Sequence, residues 1–231
     1  MNKKFLILLI IIILCSTGLT VFLFKDYFFP SNNQLINQID EENWDFEKYL
    51  AIGYSQNQID RLFTELDRLY SLIENNPNDY DALLRIGNIC MMIKEYEKAE
   101  IVFLRIIEIN PNFAPAYSNL GELYGSFWEE KSKAVENYKK AIELNPWRSQ
   151  YYRTLADLYR SDFPEKENEI EPLLLKGIKE YPKNTDFYTY LASYFRQENN
   201  IPKAINYLKQ ALEIEPGNVT LKQELAELEN L

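Results

Sequence analysis

Three arginines, Arg153, Arg160 and Arg196, stand out in a chain of 231 residues with 35 acidic and 25 basic side chains. Cations in so acidic a protein attract carboxylates, and a guanidinium grips one through two parallel hydrogen bonds. Asp157 follows Arg153 by four residues, however, and could satisfy it on the same helix face. Catalytic chemistry finds less support. The chain has no histidine, which removes Ser-His and Cys-His nucleophile pairs, His-ligated zinc and His-bound haem. There is no Walker loop, no GxGxxG and no CxxC. Glu129-Glu130 and Asp40-Glu41-Glu42 read as solvated carboxylates with nothing to desolvate them. Gly121 and Gly125 have GxxxG spacing, which here signals helix packing, and the sequon Asn218-Val219-Thr220 is best read as chance. No enzyme activity, cofactor or metal is expected.

The elements that must position those arginines are punctuated by proline. Pro77, Pro111, Pro146, Pro182 and Pro216 lie 34, 35, 36 and 34 residues apart. Proline cannot sit inside a helix and bars the α region to the residue before it, so each one closes a helix. Between them, residues recur at i, i+3, i+4 and i+7: Leu83-Ile86-Gly87-Cys90, Tyr117-Leu120-Gly121-Tyr124, Tyr152-Leu155-Ala156-Tyr159 and Tyr188-Leu191-Ala192-Phe195. That period is one helix face, and its small members admit a second helix closely. The second helices carry Ala99-Phe103-Ile106, Ala134-Tyr138-Ala141, Ile170-Leu174-Gly177 and Ala204-Leu208-Ala211. Stacked helical hairpins follow. Hydrophobic residues, at 46%, suffice for a core.

At Tyr117, Leu120-Gly121, Tyr124, Ala134, Tyr138, Ala141 and Pro146 the chain resembles the tetratricopeptide repeat (TPR) family. Four units are expected: 80–113, 114–148, 149–184 and 185–218. The extra residues of the second and third should fall between helices, near Phe127-Trp128 and Phe163-Pro164. The third, with Ile170 and Gly177 in alanine slots, should have a shifted or frayed second helix. Diverged helices over 41–79 would cap the array, with a capping box at Ser55 and Gln58 and a buried stripe of Leu62, Leu66, Leu69 and Ile73. A helix over 219–231 would close the other end.

The resemblance implies an all-α, right-handed α-solenoid whose first helices line a concave groove. Helical period then puts Leu84, Asn88, Met91 and Met92 on that wall, followed by Ser118, Asn119, Glu122 and Gly125. Arg153, Asp157 and Arg160, then Thr189, Ser193 and Arg196, complete it. The wall grades from apolar and amide to basic, and a protein or peptide partner is expected there. Asn88 and Asn119 fall where family members that clamp peptide C-termini carry asparagines, but Leu84 and Gln150 stand where the clamp has lysines. Phe127-Trp128 would be an edge anchor or, preferably, pack near Trp147 or Tyr151.

The N-terminus reads differently. Met1-Asn2-Lys3-Lys4 precedes Phe5 to Phe24, an uncharged run with fifteen Phe, Leu, Ile or Val. A helix that long spans roughly 30 Å, the hydrocarbon thickness of a bilayer. An uncleaved signal-anchor over 1–25, with a tether over 26–40, is preferred to a cleaved signal peptide, whose mature end would begin with Leu19 to Phe24. Lys3 and Lys4 against Lys25 and Asp26 put the N-terminus in the cytoplasm and the repeats outside it. Removing Lys3, Lys4 and Lys25 leaves 22 basic against 35 acidic residues, a net of −13, which disfavours nucleic acid. The expected function is a membrane-anchored scaffold or adaptor on the extracytoplasmic side of a bacterial membrane, serving assembly, secretion or quality control. The alternatives are a cytoplasm-facing receptor or co-chaperone, and a regulatory subunit of a membrane enzyme.

Overall fold

The computed structural model describes residues 44–230, and within them every regular element is helical. The apolar run at 5–24 and the tether at 26–40 lie outside the described residues. Among the described residues no helix is long and apolar enough to cross a membrane. The chain divides into two compact units between Pro111 and Asn112.

In the N-terminal unit, α1 (Phe46–Ala51) and α2 (Gln56–Asn75) precede the hairpin of α3 (Tyr80–Met92) and α4 (Tyr96–Ile109). The Gln58 carboxamide accepts from the Ser55 backbone N–H and hydroxyl at 2.9 and 2.7 Å, closing the start of α2. The buried face of α2 is Ile59, Phe63, Leu66, Leu69, Tyr70 and Ile73; of the expected stripe Leu66, Leu69 and Ile73 are buried and Leu62 is half-buried. Trp44 meets Phe63 edge-on at 5.5 Å, and Phe46 stacks on the same ring at 4.5 Å. Lys98 lies over the Trp44 ring at 3.6 Å.

In the C-terminal unit, α5 (Ala114–Glu122) pairs with α6 (Lys131–Leu144), α7 (Ser149–Asp162) with α8 (Ile170–Glu180), and α9 (Thr185–Gln197) with α10 (Ile201–Ile214). The last helix, α11 (Val219–Glu229), packs on α10. It buries Leu221 and Leu228 and leaves Ala226 exposed. Its cap is Asn218, whose side chain accepts from Leu221 N–H at 3.2 Å and donates to Glu215 Oε2 at 2.8 Å.

The proline code is visible in the backbone. Asn76, Asn110, Asn145, Tyr181 and Glu215, each just before a proline, end their helices with ψ of 88°, 87°, 72°, 67° and 70°. Proline forbids them the helical value. Small residues work as seams: a Cβ on Gly87 would stand 2.4 Å from Phe103 Cε1, on Gly121 2.8 Å from Tyr138 Cε2, and on Gly177 2.4 Å from Phe187 Cε1. Only glycine lets those rings lie against the helix backbone.

The turns inside the hairpins differ instructively. In three of them the second residue past the helix end has positive φ: Lys94 at 64°, Glu129 at 55° and Asn199 at 56°. The corresponding place after α7 holds Pro164, whose ring locks φ near −65°. That turn therefore coils into a 3₁₀ segment, Pro164–Glu169, and α8 starts late, with 11 residues where α4, α6 and α10 have 14. The surplus of the second hairpin is taken up before its turn, as a π-helical end at Leu123–Phe127 with Trp128 N–H reaching back to Leu123 O at 3.3 Å.

Glu171 on α8 accepts from Lys203 Nζ and the Tyr207 hydroxyl of α10, both at 2.7 Å. Burial raises its pKa, but the two donors outweigh burial and hold the carboxyl below its ordinary range. A depressed folded pKa stabilises above the unfolded value and is lost as pH falls. Glu171→Gln should therefore lower Tm at neutral pH, and its deficit against wild type should shrink below about pH 4.3 in a pH series of thermal melts.

Candidate functional site

A cluster of hydrogen-bonded polar side chains lies on neighbouring first helices of the C-terminal unit. It is set by a helical period that buries Tyr152, Leu155, Ala156 and Tyr159 of α7 and so turns Arg153, Asp157 and Arg160 outward. The same period in α9 buries Phe187, Tyr188, Leu191, Ala192 and Phe195, leaving Thr189, Tyr190 and Ser193 half-buried and Arg196 exposed.

A hydrogen-bonded chain joins the two helices. The Tyr190 hydroxyl donates to Asp157 Oδ1 at 2.6 Å, and Arg160 Nη2 donates to the same oxygen at 3.2 Å. Arg160 Nη1 donates to Gln197 Oε1. Gln197 Nε2 in turn reaches Ser193 Oγ at 3.4 Å. The Arg153 guanidinium lies over the Tyr190 ring, 5.9 Å from its centroid. Burial, then the Asp157 bond, pushes the Tyr190 phenol well above its ordinary pKa, so it remains a donor. Arg196 Nη1 stands 3.9 Å from Glu224 Oε1 on α11. The Thr189 hydroxyl is spent on Asp186 O at 3.1 Å.

On α5, Glu122 is exposed, Ser118 and Asn119 are half-buried, and the Ser118 hydroxyl donates to Pro115 O at 3.1 Å. Gly125 does not reach the wall: it is buried, and a Cβ there would sit 3.1 Å from that of Ala134. In the N-terminal unit Asn88 is exposed, Leu84 and Met91 are half-buried, and Met92 is 51% exposed. The Tyr54 hydroxyl bonds Met92 O at 2.9 Å. Trp128 rests on Tyr124 of its own hairpin, ring centres 5.7 Å apart, while Trp147 is 52% exposed under Arg148. Cys90 is buried, which pushes its thiol to about 12 and leaves it unreactive.

The pairing that Asp157 could have offered Arg153 is not made; Tyr190 and Arg160 take Asp157 Oδ1 instead. Tyr190, Gln197 and Glu224 are the site residues that sequence reasoning missed. The available signal was the repeat length itself, since the partners of Asp157 and Arg160 on α9 lie 33 and 37 residues further along the chain.

A tetratricopeptide repeat family model matches residues 80–113, 114–146 and 185–218. It passes over 149–184, the unit whose second helix is shortened. Among solved structures, TTC0263, a thermophilic TPR protein in Thermus thermophilus, shares 16% identity with a TM-score of 0.52. That match covers 87% of this chain and 100% of the other. MamA 41-end from Desulfovibrio magneticus RS-1 gives 18% identity and a TM-score of 0.51 over 76% of this chain and 98% of its own. A MamA protein gives 23% and 0.51 over 73% and 90%. At such identities the likeness is one of fold. No curated protein matches the sequence.

Proposed function

We propose that the chain, which a tetratricopeptide repeat family model matches at 80–113, 114–146 and 185–218, is a membrane-anchored scaffold that binds protein partners without catalysing a reaction. The uncharged run at 5–24 is its anchor. The excess of lysine before that run directs the repeats to the extracytoplasmic side of a bacterial membrane, where partners would be gathered for assembly, secretion or quality control. The binding surface is the first-helix face formed by α7 and α9.

One observation carries the choice of face. Asp157, Arg160, Tyr190 and Gln197 are tied across two hairpins into a fixed polar wall, with Arg153 beside it. Preorganised polar groups on a rigid scaffold lose little freedom on binding, so more of their interaction energy remains for the partner.

Two measurements test this reading on the full chain in its native membrane. A reporter active only outside the cytoplasm, fused after Leu231, should be active; activity of a cytoplasm-only reporter would reverse the orientation. Photo-crosslinking side chains placed at Thr154 and Ser193 should capture a partner. Capture only from positions on second helices would move the binding face.

A further inference from the structure

Two of the three groove arginines are already answered within the chain. Arg160 has Asp157 and Gln197, and Arg196 has Glu224. Arg153 is exposed and makes no ion pair among the described residues; what holds it is the face of Tyr190. A helical carboxylate four residues away is the ordinary partner for such a cation, and Asp157 occupies that place. Its Oδ1 is instead taken twice, by the Tyr190 hydroxyl and by Arg160. Asp186, at the start of α9, accepts from Ser149 Oγ at 2.6 Å. Gln150 and Thr154, the neighbours on α7, are uncharged and bonded to one another at 3.3 Å. One side chain thus does two things at once: the ring of Tyr190 supports the guanidinium, and its hydroxyl restrains the carboxylate that would neutralise it.

We propose that Tyr190 keeps Arg153 unneutralised by holding Asp157 toward Arg160, and that Arg153 thereby selects partners presenting a glutamate or aspartate side chain in an extended segment. This rests on the assignment of the α7–α9 face as the binding surface. A carboxylate is the fitting ligand because a guanidinium supported on a ring keeps its N–H fork open for a planar, two-oxygen acceptor. The surrounding acidic protein repels such a segment elsewhere. Tyr190 is a positioning residue here and Arg153 the contact.

The test uses the full chain in detergent micelles and a fluorescein-labelled peptide of alternating alanine and glutamate, amidated at its C-terminus. Wild type should bind it in a salt-sensitive manner, about tenfold tighter than the glutamine counterpart. Arg153→Gln should abolish that preference. Tyr190→Phe, which retains the ring, should also lose most of it as Asp157 swings to Arg153, and Asp157→Asn on that background should restore it. A purely structural role for the hydroxyl predicts no such restoration, and unchanged thermal melts show that the variants fold. Equal binding of the two amidated peptides by wild type would overturn the proposal. So would wild-type affinity in Tyr190→Phe, or no recovery in the double variant. A glutamine peptide that binds only with a free C-terminus would overturn it too, by showing that the face recognises chain ends. Partner crosslinking from Thr154 that survives Arg153→Gln would overturn this inference and leave the scaffold standing.

Discussion

Replacing Ala204 with glutamate should collapse the hairpin of α9 and α10. Ala204 is completely buried on the first turn of α10, in a core with Leu191, Ala192, Phe195, Leu208 and Ala211. The seam admits a methyl group. A glutamate there must either carry an unpaired charge into an apolar core or prise the helices apart, and either course costs more than about 4 kcal/mol. That is a large share of a domain's total stability of roughly 5–15 kcal/mol. Hydrogen exchange should show α9 and α10 losing their protection, while Ala204→Ser, which adds one hydroxyl able to bond its own helix, should cost far less. An unchanged melt for the glutamate variant would mean that these helices do not meet along Ala204.

In the N-terminal unit the largest effect is expected from Phe103→Ala. The ring is fully buried on α4 and lies against the Cα of Gly87 on α3. Removing it leaves a ring-sized cavity that a glycine opposite cannot fill, at a cost of about 3–5 kcal/mol. The reverse error is costly as well: Gly87→Ala drives a methyl into a ring that has nowhere to go, for about 1–3 kcal/mol. The pair should be coupled. Gly87→Ala combined with Phe103→Leu should be less destabilising than the sum of the two single changes, because the smaller side chain makes room for the methyl. Strict additivity in chemical denaturation would contradict this packing.

Much of the fold is legible in residue types whose effect is local. Proline before a turn and glycine or alanine beneath an aromatic ring act within a few residues of where they stand, so Pro146, Gly121 and Ala204 announce helix ends and seams directly. Pro164 was legible as a breaker, but its effect required the backbone of its counterparts. Only beside the positive φ of Lys94, Glu129 and Asn199 does a residue that cannot adopt it explain a 3₁₀ turn. The candidate site is harder still. Arg153, Arg160 and Arg196 could be picked out by charge and period, yet the side chains that complete their surroundings, Tyr190, Gln197 and Glu224, lie on later helices. Asp157 had a sensible partner four residues before it, but accepts instead from a tyrosine on the neighbouring helix and from Arg160 on its own.

The π-helical end at Leu123–Phe127 and the 3₁₀ segment at Pro164–Glu169 both sit where a first helix hands over to a second. Length is thus tolerated at the turns within hairpins, while the proline turns between them all have one length. Grafted loops, epitope tags or protease sites should be accepted at 127–130 and 164–169. The same cargo spliced between Asn145 and Pro146 would throw every later helix out of step. Each hairpin thus has one end that can be rewritten and one that must be left as it is.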